Sequence, residues 1–179
     1  RPEGATPEEE AIVRAEQAMD AFIAAQTNRV TVRTVAASST AAAAYAVTNL
    51  CDGRDGTCWA AATNEAQGAW VEFELERPAR LSSLRLVNGW VPDEKRLTLY
   101  PANHRARRLD VATDAGERAV LDVEDHNDPQ FIRVAFRKPV RRLRFTVTEI
   151  HESEVIDPED PPWLNLSEIT FYEGREDEQ

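Results

Sequence analysis

Hydrophobic residues change their period once along this chain. Over residues 1–29 they recur at helical spacing, with Ile12, Ala15, Met19, Phe22 and Ile23 falling on one face. The start of that helix is marked: Thr6 stands as N-cap, Pro7 takes the first helical position and Glu9 completes a capping box. The acidic run Glu8-Glu9-Glu10 suits the positive end of the helix dipole. From Val30 onward the pattern becomes alternation. Val30 and Val32 alternate with Thr31 and Arg33, and Val71, Phe73 and Leu75 with Glu72, Glu74 and Glu76. Leu84 and Leu86 flank Arg85, Leu109 and Val111 flank Asp110, and Val134 and Phe136 flank Ala135. Leu143, Phe145 and Val147 alternate with Arg144 and Thr146, and Ile169 and Phe171 close the series around Thr170. Antiparallel strands with one wet face and one dry face produce this pattern. Their number, about eight, and the turn-rich segments between them predict an all-β jelly-roll β-sandwich behind a short N-terminal amphipathic helix. No helices intervene between the strands, which excludes a parallel α/β architecture. The organisation is then a helical segment over 1–29, one β-domain over 30–173 and a disordered acidic tail over 174–179. Two stretches fit no strand: the Ala-rich 41–46, read as a short helix or covered loop, and the acidic, Pro-rich 153–162.

Composition narrows the function. The 21 Lys and Arg stand against 32 Asp and Glu, a formal charge of −11, which argues against a nucleic-acid binder because phosphate neutralisation needs a basic face. No apolar run approaches the roughly 18–20 residues of a membrane span, so no membrane insertion is expected, and the charged opening RPEGATPEEE is not a signal peptide. Trp59, Trp70, Phe73, Phe136, Phe145 and Phe171 flank or lie in strands and are expected in the core. Cys51 and Cys58 bracket a Gly-rich loop too long for a CxxC motif. A disulfide closing that loop is the favoured reading, with free buried thiols as the alternative; a bridge would favour an extracytoplasmic compartment.

The order of the motifs then matters more than any one of them. VAASST, TNLCDGRDGTCW, GAWVEFEL, LSSLRLVNGW, RKPVRRLRFTV and LNLSEITFYE follow one another over residues 30–173. This succession resembles the discoidin-like (coagulation-factor type C) domain of the galactose-binding-like superfamily, and within it the NADase-type glycan-binding domain attached to bacterial toxins. Asn88-Gly89-Trp90, and Asn103 followed by Arg105, carry the narrower resemblance. It implies a bacterial, extracytoplasmic module whose function lies in loops at one end of a jelly roll. The turn Asp52-Gly53-Arg54-Asp55-Gly56-Thr57 is similar to a family turn that, with a Glu near the last strand, holds a structural Ca²⁺. The resemblance therefore implies Asp52, Asp55, Thr57 and Glu168 as possible metal ligands and no other cofactor. Arg54 departs from it, since a fixed positive charge beside a cation is unfavourable. The competing reading has Asp52 capping the turn, Arg54 pairing with a carboxylate and the Cys51–Cys58 bridge as the staple.

Ligand binding is expected from Asn88, Trp90, Tyr100, Asn103 and Arg105, with His104 among them, and from Trp163 in the other long loop. Sugars need a flat apolar surface for the C–H face of the ring and planar polar groups for the hydroxyls. Against this, Asn88 and Asn103 are also plain turn formers and Arg105 a plain salt-bridge partner. The loop holding Glu149, Glu152, Glu154, Asp157, Glu159, Asp160 and His151 matches no hydrolase or metal motif, so no catalytic residue is assigned and a solvated negative loop accounts for it. The run Arg137–Arg142 reads as charges guarding a strand edge. The expected function is a non-catalytic glycan-binding or adhesion-type module. The alternatives are a protein-interaction or structural accessory domain of a larger secreted or membrane-anchored protein and, more weakly, a glycan-acting hydrolase using the acidic loop.

Overall fold

The computed structural model describes residues 6–8, 11, 12, 14, 15, 18 and 28–174. Ten strands run β1 (Arg29–Val30), β2 (Val32–Ala37), β3 (Trp59–Ala60), β4 (Trp70–Ala79), β5 (Leu81–Asn88), β6 (His104–Thr113), β7 (Arg118–Asp122), β8 (Gln130–Arg133), β9 (Val140–His151) and β10 (Leu164–Glu173). One layer has the order β2-β4-β9-β6, with β7 on β6; the other has β10-β5-β8, with β1 and β3 on β10. They meet where β6 and β10 pair in parallel, Leu164 with His104 and Asn165 with Arg105. The result is a jelly-roll β-sandwich.

The alternation does the folding. Along β4, Val71, Phe73 and Leu75 turn inward and the residues between them stay half-buried. Phe73 and Phe145 of one layer meet Phe171 of the other, with ring centroids 5.1–6.0 Å apart. Such aromatic pairs add about 0.5–1.5 kcal/mol each beyond area burial, so the two pairs made with Phe171 help weld the layers together. Trp59 is fully buried, its indole N–H donating to the Ser39 carbonyl at 3.0 Å.

Several expectations need correction. The helix is seen at Pro7, Glu8, Ala11, Ile12, Arg14, Ala15 and Ala18, all exposed, while Glu9, Met19, Phe22 and Ile23 lie outside the described residues, as does most of the tail. Val134 and Phe136 are buried but follow the end of β8 instead of forming a strand of their own. Trp70 is only half-buried, on the outer face of β4, with the Arg144 guanidinium 4.0 Å from its ring centroid. Of the run Arg137–Arg142, Arg141 and Arg142 guard no edge, because they lie with Arg144 on β9, inside its layer between β4 and β6. They face Glu72 and Glu74 across β4, at 2.9 Å for Arg144–Glu72 and 3.5 Å for Arg141–Glu74. Cys51 and Cys58 are free thiols, so the expected bridge is not formed. Cys51 Sγ donates to the Thr48 carbonyl at 3.6 Å, inside the 3₁₀ turn Val47–Cys51. Cys58 is buried just ahead of Trp59, and that burial pushes its thiol up to about 12.

Candidate functional site

Three aromatic side chains from three separate loops meet at one end of the sandwich. The Tyr45 ring centroid lies 5.4 Å from that of Trp90, edge to face at 74°, and 5.3 Å from that of Trp163, tilted at 59°. All three are half-buried, so part of each ring reaches solvent. Each is delivered by its own local chemistry. Tyr45 ends the 3₁₀ turn Ala43–Tyr45, which Asn49 holds by donating to Ala44 O at 3.0 Å and Cys58 O at 2.9 Å. The Trp90 indole donates to Gly56 O at 3.0 Å, which seats it on the turn 52–57. The Trp163 indole donates to Thr63 Oγ1 at 3.1 Å, and its backbone N–H donates to Asn103 Oδ1 at 3.1 Å. The indole N–H groups thus fix the rings from below. What remains is an apolar, faceted surface suited to the C–H face of a ring-shaped ligand.

Behind this platform stands a polar brace built from the other expected site residues. Asn88 is fully buried: its Nδ2 donates to Ala106 O at 2.8 Å and Glu124 O at 3.2 Å, and its Oδ1 accepts from Ala106 N at 3.0 Å and Gly89 N at 3.1 Å. Gly89 has φ +64, and a Cβ there would run into the Tyr100 ring and Arg105 Cγ, so only glycine passes between them. Arg105, with its side chain 3 % exposed, forks Asp125 through Nε at 2.9 Å and Nη2 at 2.8 Å. Its Nη1 donates to Asn103 O and Glu152 O, both at 3.1 Å. The Tyr100 hydroxyl donates to Asp125 Oδ1 at 2.7 Å. Arg105's hydrogen bonds hold the Asp125 carboxyl below its ordinary range against the opposing effect of burial. Burial and that same Asp125 bond push the Tyr100 hydroxyl up. Asn88 and Arg105 are therefore not surface hydrogen-bonding groups as expected, because their capacity is used in tying the 89–103, 124–129 and 152–154 loops together. Asn103 does the same work, donating to Leu99 O at 3.0 Å while it holds Trp163.

Of the expected residues the platform unites Trp90 and Trp163. It adds Tyr45, which sequence reasoning missed. The available signal was an aromatic in an otherwise small, uncharged loop.

The turn expected to hold Ca²⁺ is closed by its own side chains. Asp52 Oδ1 accepts from Arg54 N at 2.8 Å and Oδ2 from the Thr57 hydroxyl at 2.6 Å. Asp55 is forked by Arg85 at 2.9 and 2.6 Å. Glu168 is buried, and burial, then the Asp52 charge, push its carboxyl up to about 8. A calcium ion takes 6–8 oxygens. With Asp55 committed to a guanidinium, Asp52, Thr57 and Glu168 remain of the expected set, and among the described residues no group of three or more His, Cys, Asp or Glu converges.

Glu152, Glu154, Asp157, Glu159 and Asp160 of the acidic loop are exposed. His104 Nδ1 accepts from Ser153 N at 2.9 Å and burial lowers its pKa, which keeps it an acceptor. His151 Nε2 lies 3.1 Å from Val123 O. A shallow hollow of about 390 Å³ lies elsewhere, lined by Glu124, His126, Gln130, Phe131 and Arg133 among others.

Comparison with known proteins bears on this arrangement. The sequence profile of the family described as NAD glycohydrolase translocation F5/8 type C domain matches residues 24–172. No curated protein matches the chain. Solved structures of similar fold include the family 32 carbohydrate-binding module of NanJ from C. perfringens in complex with galactose. It shows TM-score 0.54 and 15 % identity over 80 % of this chain and 99 % of that one. The family 32 module of AlyQ in complex with 4,5-unsaturated mannuronic acid has TM-score 0.54 and 13 % identity over 82 % and 98 %. The lectin domain of lectinolysin complexed with Lewis B antigen has TM-score 0.53 and 15 % identity over 79 % and 93 %. At such identities the likeness speaks for the fold.

Proposed function

From the premise that the chain belongs to the NAD glycohydrolase translocation F5/8 type C domain family, we propose that it is a non-catalytic glycan-binding module displayed outside the cytoplasm. The convergence of Tyr45, Trp90 and Trp163 from three loops carries this reading. A pyranose ring laid on these rings buries its C–H face, and its hydroxyls stay within reach of loop backbone and water. The fold's neighbours in complex with galactose, an unsaturated mannuronic acid and Lewis B antigen support a sugar as ligand while leaving its identity open. Single shallow sites bind weakly, so avidity from repeated display supplies useful strength.

A glycan array probed with the wild type, Trp90→Ala and Trp163→Ala tests this. The expected result is binding by the wild type that falls at least about tenfold in each variant, the loss of an aromatic anchor. Silence across the array overturns the reading.

A second reading, contact with a partner protein, is favoured by exposed apolar side chains on the loops that carry Trp90 and Trp163, Leu97 at 63 %, Val155 at 48 % and Ile156 at 93 % exposure. Recovery of a partner that Ile156→Asp loses, together with an array left silent, would select it.

A further inference from the structure

We infer that the platform discriminates by charge, accepting uncharged sugars and turning away glycans that carry a carboxylate or sulfate; this rests on the glycan-binding reading and adds a selectivity to it. The three loops that deliver the rings are unequal in charge. The 38–46 loop, which brings Tyr45, has no charged side chain. In the 89–98 loop Asp93 pairs with Arg96 at 3.3 Å, and Glu94 and Lys95 offset one another. The 152–163 loop, which ends in Trp163, contributes Glu152, Glu154, Asp157, Glu159 and Asp160 without a single Lys or Arg.

That last loop is held in place. The N–H of Glu154 donates to Pro101 O at 2.9 Å, Ser153 Oγ donates to Ala102 O at 2.9 Å, and Asp157 Oδ1 accepts from Glu159 N at 2.9 Å. Asp160 is three residues from Trp163, at most about 11 Å of extended chain, which is close to the screening length of roughly 8–10 Å in ordinary salt. Glu65, exposed two residues beyond the Thr63 that accepts the Trp163 indole N–H, adds a further negative charge.

The positive charge that answers these carboxylates is small: Arg105 Nη2 lies 4.0 Å from Glu154 Oε1. Arg105 is buried and forked on Asp125. Arg54, on the turn beneath Trp90, sits between Asp52 and Asp55 in sequence. An acidic sugar on the rings therefore meets a field set by the five carboxylates of this loop against the exposed Arg54 of the turn that seats Trp90, whereas a neutral sugar is indifferent to that field.

The test is an array of matched pairs, each a neutral oligosaccharide and its sialylated or sulfated counterpart. It is probed with the full chain at low and high salt, and with a variant carrying Glu152→Gln, Glu154→Gln, Asp157→Asn, Glu159→Gln and Asp160→Asn. The neutral member of each bound pair is expected to bind about five- to tenfold tighter at low salt, the gap closing at high salt and in the variant. Equal or tighter binding of the acidic members at low salt overturns the charge selectivity and leaves the glycan-binding reading standing. Silence with every pair overturns both. The salt titration on the wild type decides the question even if the five-fold variant fails to fold.

Discussion

Two residues apart, Asn88 and Trp90 have opposite fates. Asn88 vanishes into the protein with every hydrogen bond made, and Trp90 keeps part of its ring in water with its indole N–H anchored. The same division runs through the neighbouring loop, where Arg105 and Asn103 turn inward to hold what the rings sit on. Loops at the end of a sandwich must satisfy their own buried polar groups before they can offer any to a ligand. Here the planar polar side chains that sugar chemistry would have chosen are the ones the loops need for themselves.

If brace and platform are separable, the sharpest way to show it is to break the brace. Asn88→Ala leaves the buried Gly89 and Ala106 N–H groups without their acceptor, and should lower unfolding free energy by about 3 kcal/mol in urea titrations. A change under about 1 kcal/mol would mean the brace is ornamental. Next in size is an acid effect confined to the brace. Asp125's folded pKa is depressed chiefly by Arg105, so its stabilisation is present above the ordinary carboxylate value and lost as pH falls through the depressed one. Asp125→Asn should therefore flatten the decline of stability below about pH 4. Trp90→Ala should leave that decline unchanged, and a Trp90 variant with altered acid behaviour would join the two regions into one. On stability alone, Trp90→Ala should cost about 1–2 kcal/mol, less than the full burial value because its ring is half-buried. The smallest effect concerns the turn beneath Trp90. EDTA should move Tm by less than about 2 °C, and a larger drop would show that a cation, and not Arg85 alone, steadies Asp55.

Much of the fold was legible because alternation is a local signal. Val71, Phe73 and Leu75 face inward where the pattern puts them. The position of a strand within a layer is not local. Arg141 and Arg142, in the run Arg137–Arg142, read as an edge because charge along a strand looks the same whether it faces water or a glutamate on β4. β10 was read from Ile169 and Phe171, but Ser167, Glu168 and Thr170 between and beside them are buried too, so its alternation marks no wet face. At the site, Trp90 and Trp163 announced themselves as loop aromatics. Tyr45 was masked by the alanines around it, and its meeting with two indoles depends on Asn49 and on Thr63, contacts no spacing rule contains.

The crowding at Gly89 also sets what a lineage of such modules can vary. With no room for even a methyl group between Tyr100 and Arg105, random libraries selected for new ligands should return glycine there every time and accumulate accepted changes at positions 45, 90 and 163. Novelty in such modules would be painted onto the rings while the joint beneath them is inherited whole.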